Sequence, residues 1–290
     1  MLANLDVSLR TESLKAVSQV AAKVELPTKF ANEVFVRLVV LLEEALKDPD
    51  SPAVNEQTLL CLETIANWLR FDSGSRANRL ALIESKTETL HHFGLIKLVI
   101  KHLESPSLQT KQRVLHVLVY MRIKGHTAEE ILGEQSLLSL ILDLIRDKEY
   151  SLARNAAEFF RNISTHLKHD RLQDTAHVFQ SLATLDQSDD IFTLNLESLR
   201  SLLCGESEAL AADFMRRGLV TQYLNPMLQR QFNGLQEESL INLSAILRRL
   251  AESKLVQNQF SDQIDTQSLS EMIRLVDLSA VRQNLFAAFT

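Results

Sequence analysis

Four leucines recur at intervals of 42 residues, Leu98, Leu140, Leu182 and Leu224, and the apolar pattern around them moves with them. A chain that repeats a unit of this length builds its core between neighbouring copies of one supersecondary element, not around a single closed centre. The later half of each unit keeps the same step. Val114, Ala156, Ser198 and Leu240 form one column, Leu115, Ala157, Leu199 and Ile241 a second, and Leu118, Phe160, Leu202 and Ser244 a third. Apolar or small residues in such columns suit a helix packed on both sides. Gly205 and Ser244 interrupt the pattern.

Composition bears on what the repeated unit is. Only 7 Gly and 5 Pro occur in 290 residues, too few breakers for a turn-rich β protein, and the apolar mass is mostly Leu, Ala, Val and Ile with few aromatics. Long helices follow, and the expected class is all-α. A formal net charge of −6 argues against general affinity for nucleic acid or an anionic membrane, since both require a basic surface. No run of about 18 apolar residues is present, and the start of the chain lacks a cationic segment followed by an apolar one, so a soluble protein without an export signal is expected. Cys61 and Cys204 stand 143 positions apart, which excludes a disulfide framework and suits free thiols in the cytoplasm or nucleus.

The expected organisation is one elongated domain. Residues 1–29 form an N-terminal helical cap, 30–69 a first repeat, 70–93 an insertion, 94–133, 134–175, 176–217 and 218–258 four further repeats, and 259–290 a C-terminal cap. The insertion explains why Leu38 precedes Leu98 by 60 residues instead of 42. Within it the pattern predicts a loop followed by a short helix over 76–84. Turns are placed at Asp48 to Pro52, Glu104 to Ser107, Asp147 to Tyr150, Asp186 to Asp190 and Asn233-Gly234.

A small residue, Leu-x-x-Leu, a helix of about three turns, an acidic or proline turn and a longer helix ending in Asn together resemble the armadillo repeat. The copies that carry the likeness run from Ser136 to Leu140 and on through Ala156 to Ile163, with a second in Cys61 to Asn67. The resemblance implies a right-handed α-solenoid of about five armadillo- or HEAT-like repeats with helical caps at both ends. The segment Leu9 to Val17 is also similar to the opening helix of the rotatin family, armadillo-type scaffolds of centrioles and cilia.

In armadillo proteins the last helix of each repeat lines a concave groove whose polar ladder holds an extended peptide. Taking Asn162 as the groove asparagine places Glu158 and Arg154 at the preceding turns of the same face. The 42-residue step then gives His116 and Tyr120, Arg200 and Cys204, and Asn242 and Ile246, while Glu63 and Asn67 hold the matching places in the first repeat. The inner column thus reads Glu63, His116, Glu158, Arg200, Asn242, polar throughout and flanked by apolar columns. The resemblance implies Trp in this column and Asn four places on. Only Asn67 and Asn162 keep the asparagine and no tryptophan occupies the column, which argues against the nuclear-import manner of holding a basic peptide.

Other clusters point to no chemistry. His91, His92 and His102, and His166 and His169 with Asp170, lack the further ligands a metal site requires and read as surface histidines. No glycine-rich phosphate loop and no nucleophile with its base is present, so no cofactor, no metal and no enzymatic activity are expected. Arg216, Arg217, Arg248 and Arg249 form a secondary basic spot, with the two pairs expected close in space. The functional expectation is a noncatalytic adaptor that binds a protein or peptide segment on its concave face. The alternative is a scaffold piece, centriolar, ciliary or cytoskeletal, that self-associates or continues into a longer solenoid through Phe286 and Phe289 of the C-terminal cap.

Overall fold

The computed structural model describes residues 6–48, 51–71, 76–168, 172, 174–183, 189–205, 208–229, 236–255, 257–275 and 279–289. Among these the chain is helical and no strand occurs. The expected turns at Pro49-Asp50, Asp186 to Ser188 and Asn233-Gly234, and the His169-Asp170 cluster, lie outside the described residues. The chain divides into two compact units, Met1–Leu138 and Ser139–Thr290.

The first unit contains α1 (Val7–Lys23), α2 (Thr28–Ala45), α3 (Pro52–Arg70), α4 (Arg76–His92), α5 (Leu95–Lys101), α6 (Leu108–Tyr120) and α7 (Gly125–Gly133). The unit boundary falls within α8 (Gln135–Ile145). Here α3 packs between α1 and α6, α2 and α4 cover its flank, and α5 packs on α2 and α4. Cys61, Leu62, Ile65 and Leu69 of α3 are fully buried, as are Val114, Leu115, Val117 and Leu118 of α6, each worth roughly 1.5–3 kcal/mol for a large apolar side chain. The buried stripe of α1 is Thr11, Leu14, Ser18 and Ala21, while Leu9, Val20 and Val24 around it are exposed.

The expected short helix over 76–84 is twice as long. It continues to His92 because Lys86, Thr87 and Leu90 are buried and give its second half a packed face. Lys86 Nζ donates to the carbonyls of Trp68 at 2.7 Å and Phe71 at 2.9 Å, closing the C-terminal end of α3. A lysine suits that place because a helix leaves its last carbonyls unpaired and partially negative. On its other side α4 meets α7 through three polar pairs: Glu84 with Lys124, Glu88 with His126, and His91 with Glu130.

The second unit contains α9 (Tyr150–Ser164), α10 (Thr175–Leu182), α11 (Asp189–Leu203), α12 (Glu208–Arg216), a π-helical turn at Val220–Leu224 that runs into α13 (Asn225–Gln229), α14 (Glu237–Glu252), α15 (Gln257–Gln263), α16 (Thr266–Leu275) and α17 (Ser279–Phe289). The long helices α9, α11, α14 and α17 stack in succession. The expected C-terminal cap over 259–290 falls on most of α15 and on α16 and α17. Ala153, Ala156 and Ala157 let the backbone of α9 approach its neighbours, and Phe159 and Phe160 fill the space on either side. Ser244, which breaks the apolar column, is fully buried and accepts from Asn284 Nδ2 of α17 at 3.1 Å, so the break is a polar joint to the last helix.

Candidate functional site

From Leu152 to the end of α9 every side chain is buried except a strip at Arg154, Glu158, Arg161 and Asn162, which Thr165 continues just past the helix. The spacings of three and four keep these groups on one face. Asp190, Glu197, Arg200, Ser201 and Cys204 continue the strip on α11, and Glu238 and Ile241 on α14. Within α9, Arg154 Nη1 lies 3.2 Å from Glu158 Oε2, and Arg154 also reaches Asp190 of α11 at 3.9 Å. Arg161 spans the same two helices, 3.3 Å from Glu197 and 3.9 Å from Glu158. Next along, Glu238 of α14 lines the same cleft as Glu197. Burial, then this neighbouring carboxyl, push Glu197 above the ordinary range of a glutamate, against the pull of Arg161.

The 42-residue step also appears in space. Arg200 Nη1 donates to Asn242 Oδ1 at 3.0 Å. Asn242 is 2% exposed, and its Nδ2 is a buried donor without a hydrogen-bond acceptor. Such a group costs about 1–3 kcal/mol. Asn242 lines an open cleft of about 600 Å³ together with Arg161, Glu197, Arg200, Cys204 and Glu238. Cys204 is exposed beside Arg200, and its thiol lies 3.6 Å from the Ala245 carbonyl of α14.

Sequence reasoning placed Arg154, Glu158, Arg200 and Asn242 on one face, and three of these four join in the polar strip while Asn242 stands in its wall. Arg161, Glu197 and Glu238 were missed. Their signal was helical spacing from residues already singled out: Arg161 is three after Glu158, Glu197 three before Arg200, and Glu238 four before Asn242.

In the first unit the column is less open. Glu63 sits 3.9 Å from Arg113 of α6. Asn67 Nδ2 donates to Ser18 Oγ at 3.1 Å and to the Ser18 carbonyl at 3.3 Å, tying α3 to α1. His116 is half-buried and Tyr120 is exposed. In the second unit, Asn162 accepts from the adjacent Arg161 at 3.3 Å, and Ile246, the residue at the next asparagine place, is fully buried.

The two arginine pairs have separate surroundings. Arg217 pairs with Asp213 at 2.9 Å and donates to Thr175 of α10, and Arg216 reaches the same carboxylate at 3.5 Å. Arg248 pairs with Glu252 at 2.8 Å, and Arg249 donates to the Leu203 carbonyl. No hydrogen bond or ion pair links the pairs to each other among the described residues. Asp213 would be raised by its burial, but Thr175, Arg217 and Arg216 together hold it below the ordinary carboxylate range.

Among the described residues no group of three His, Cys, Asp or Glu side chains is disposed to hold a metal ion, and no helix is long and apolar enough to cross a membrane. His102, expected at the surface, is 5% exposed with Nε2 against the Leu42 carbonyl at 3.1 Å; burial lowers its pKa. Apolar neighbours at Val99, Ile100 and Leu103 carry it inward.

Stacked long helices with a polar strip on one face define an armadillo-type helical-repeat fold. Among the solved structures it resembles are designed armadillo repeat proteins. One has a TM-score of 0.65 at 16% identity, over 87% of this chain and 97% of the other. A second, solved in complex with the peptide (KR)4, gives 0.64 at 14% identity over the same shares. A third, computationally designed for modular peptide recognition, gives 0.66 at 14% identity, again over 87% and 97%. No protein-family model and no curated protein matches the sequence.

Proposed function

We propose that the polar strip of α9, α11 and α14 binds an extended segment of another protein, and that the chain is a noncatalytic interaction module. The observation that carries this reading is the buried, unpaired Nδ2 of Asn242 in the wall of the cleft. With the Asn242 amide turned toward the cleft, a main-chain carbonyl laid along the strip would satisfy it, and an extended peptide offers a carbonyl at every residue. The designed armadillo neighbours, one of them holding a peptide, support the same use of the fold. With its cysteines free, the module would act in the cytoplasm or nucleus.

Peptides of about 12 residues selected from a random display library on the intact protein test this reading. With benzoylphenylalanine in place of Ser201 in the cleft they should photo-crosslink, and with it in place of Arg216 they should not. Selection of no peptide, or equal cross-linking at both positions, would overturn it.

A second reading, a scaffold piece that self-associates through its end, rests on Phe286, which is 58% exposed on α17. Phe289 lies at the edge of the described helix and its side chain is not described. If α17 joins copies of the chain, sedimentation velocity should show a dimer that Phe286→Ser dissociates; a monomer at about 100 μM sinks this reading.

A further inference from the structure

A second cleft, of about 250 Å³, opens in the first unit where the ends of α2 and α5 meet the first turns of α3 and α6. Asn55 and Thr58 place it about 8–12 Å along α3 from Glu63, apart from the polar column. Its volume lies just under the roughly 300–1,000 Å³ of a drug-sized site, so the ligand it suits is a small molecule and not a peptide. Thr110 lines it, is 1% exposed, and carries a buried hydroxyl without a hydrogen-bond partner among the described residues.

The other lining residues narrow the chemistry. Thr58 is buried and donates to the Val54 carbonyl at 2.8 Å, and the buried His102 holds Nε2 against the Leu42 carbonyl at 3.1 Å. A carbonyl only accepts, so Nε2 carries the ring proton, and burial favours the neutral ring, in which Nδ1 keeps a lone pair. A hydroxyl or amide on the ligand, able both to donate and to accept, answers Thr110 and this imidazole. Lys101 and Glu104 are exposed and three residues apart, a spacing at which opposite charges pair on a helix, yet no ion pair joins them among the described residues. Glu104 accepts from Ser136 Oγ at 3.2 Å, and Lys101 makes no side-chain hydrogen bond or ion pair among the described residues. A lone anion would be repelled by Glu104 and a lone cation by Lys101, whereas a zwitterion meets each with the opposite charge.

We propose that this cleft binds a small free α-amino acid with a hydroxyl or amide side chain, its carboxylate on Lys101, its ammonium on Glu104 and its side chain on Thr110. Leu46 and Pro106 supply apolar lining for the carbon atoms between these groups. The ligand touches the ends of four helices of the first unit at once, so its binding stabilises their packing. Site and ligand are separate from the strip on α9, α11 and α14, and the proposal does not rest on the segment-binding reading.

The test is isothermal titration calorimetry of the intact protein with L-serine, L-threonine, L-asparagine and L-glutamine. At least one should bind with a Kd of about 1 mM or tighter and raise the thermal midpoint. Analogues lacking one charge, such as ethanolamine and 3-hydroxypropionate for serine, should bind at least about tenfold more weakly than their parent. Lys101→Met and Glu104→Gln, both at exposed positions, should cause the same loss. Thr110→Val, which removes only the buried hydroxyl, should also weaken binding by about tenfold without lowering the thermal midpoint of the free protein. Binding by none of the four amino acids overturns the proposal. So does an analogue that binds as tightly as its parent, or an affinity unchanged in Lys101→Met, Glu104→Gln or Thr110→Val.

Discussion

Arg200 and Asn242 stand 42 residues apart in sequence and 3.0 Å apart in space, Nη1 to Oδ1, from α11 to α14. One repeat period thus closes on itself as a hydrogen bond. The bond satisfies the amide oxygen of Asn242 and leaves its amide nitrogen buried and unpaired.

Asn242→Leu should therefore stabilise the free protein, by about 1 kcal/mol, because an apolar side chain of similar volume removes the desolvated donor and leaves Arg200 free to turn to water. Urea denaturation measures this. A gain in stability accompanied by a loss of binding is the pattern of a residue kept for function.

Lys86 presents the opposite case. Its ammonium closes α3 on the carbonyls of Trp68 and Phe71 and lies 5.3 Å from the centre of the Trp68 ring. Lys86→Ala should cost about 2–3 kcal/mol through two orphaned carbonyls and lost packing, seen as a lower urea midpoint with no change in peptide affinity.

Asn67 is expected to behave as a strut. Asn67→Ala removes its bonds to Ser18 and should cost about 1 kcal/mol, with faster amide exchange confined to α1 and unchanged peptide binding. Weakened binding without faster exchange in α1 would return Asn67 to the groove.

Two carboxyls should move the pH profile of stability in opposite directions. Asp213 is held below the ordinary carboxylate range, so its contribution is present above the unfolded value and is lost as the pH falls through the folded one; Asp213→Asn should be destabilising at neutral pH and neutral in strong acid. Glu197 is raised, so its contribution is present in acid and is lost as the pH rises through the folded value; Glu197→Gln should stabilise at about pH 7.5 and lose that advantage below about pH 4. Chemical denaturation of both variants across this range supplies the comparison.

The repeat was legible because a helix stacked on both sides tolerates little besides apolar or small residues. Val114, Ala156, Ser198 and Leu240 are all buried, as their column requires. The anchor leucines were a weaker guide: Leu182 and Leu224 are fully buried, but Leu98 and Leu140 only partly. The helices α7 and α12, nine residues each, were not foreseen, since so short a segment shows barely two turns of periodicity.

The cleft was half legible for a related reason. Stepping by 42 finds equivalent positions, and long side chains reach across to neighbours at other separations. Arg161 meets Glu197 and Arg154 meets Asp190, each after 36 residues. No column of equivalents contains those contacts. The arginine pairs illustrate the converse, because adjacency in sequence said nothing of their separate partners, Asp213 for one and Glu252 with the Leu203 carbonyl for the other.

The most direct test of the account is the dissociation constant of one library-selected peptide for the intact protein and for Asn242→Leu, read by fluorescence anisotropy with both proteins shown to be folded. The account predicts an affinity at least about tenfold weaker for the variant, the loss expected when a buried hydrogen bond of the bound state is removed. Equal affinities would contradict it and remove the α9, α11 and α14 strip as the binding site.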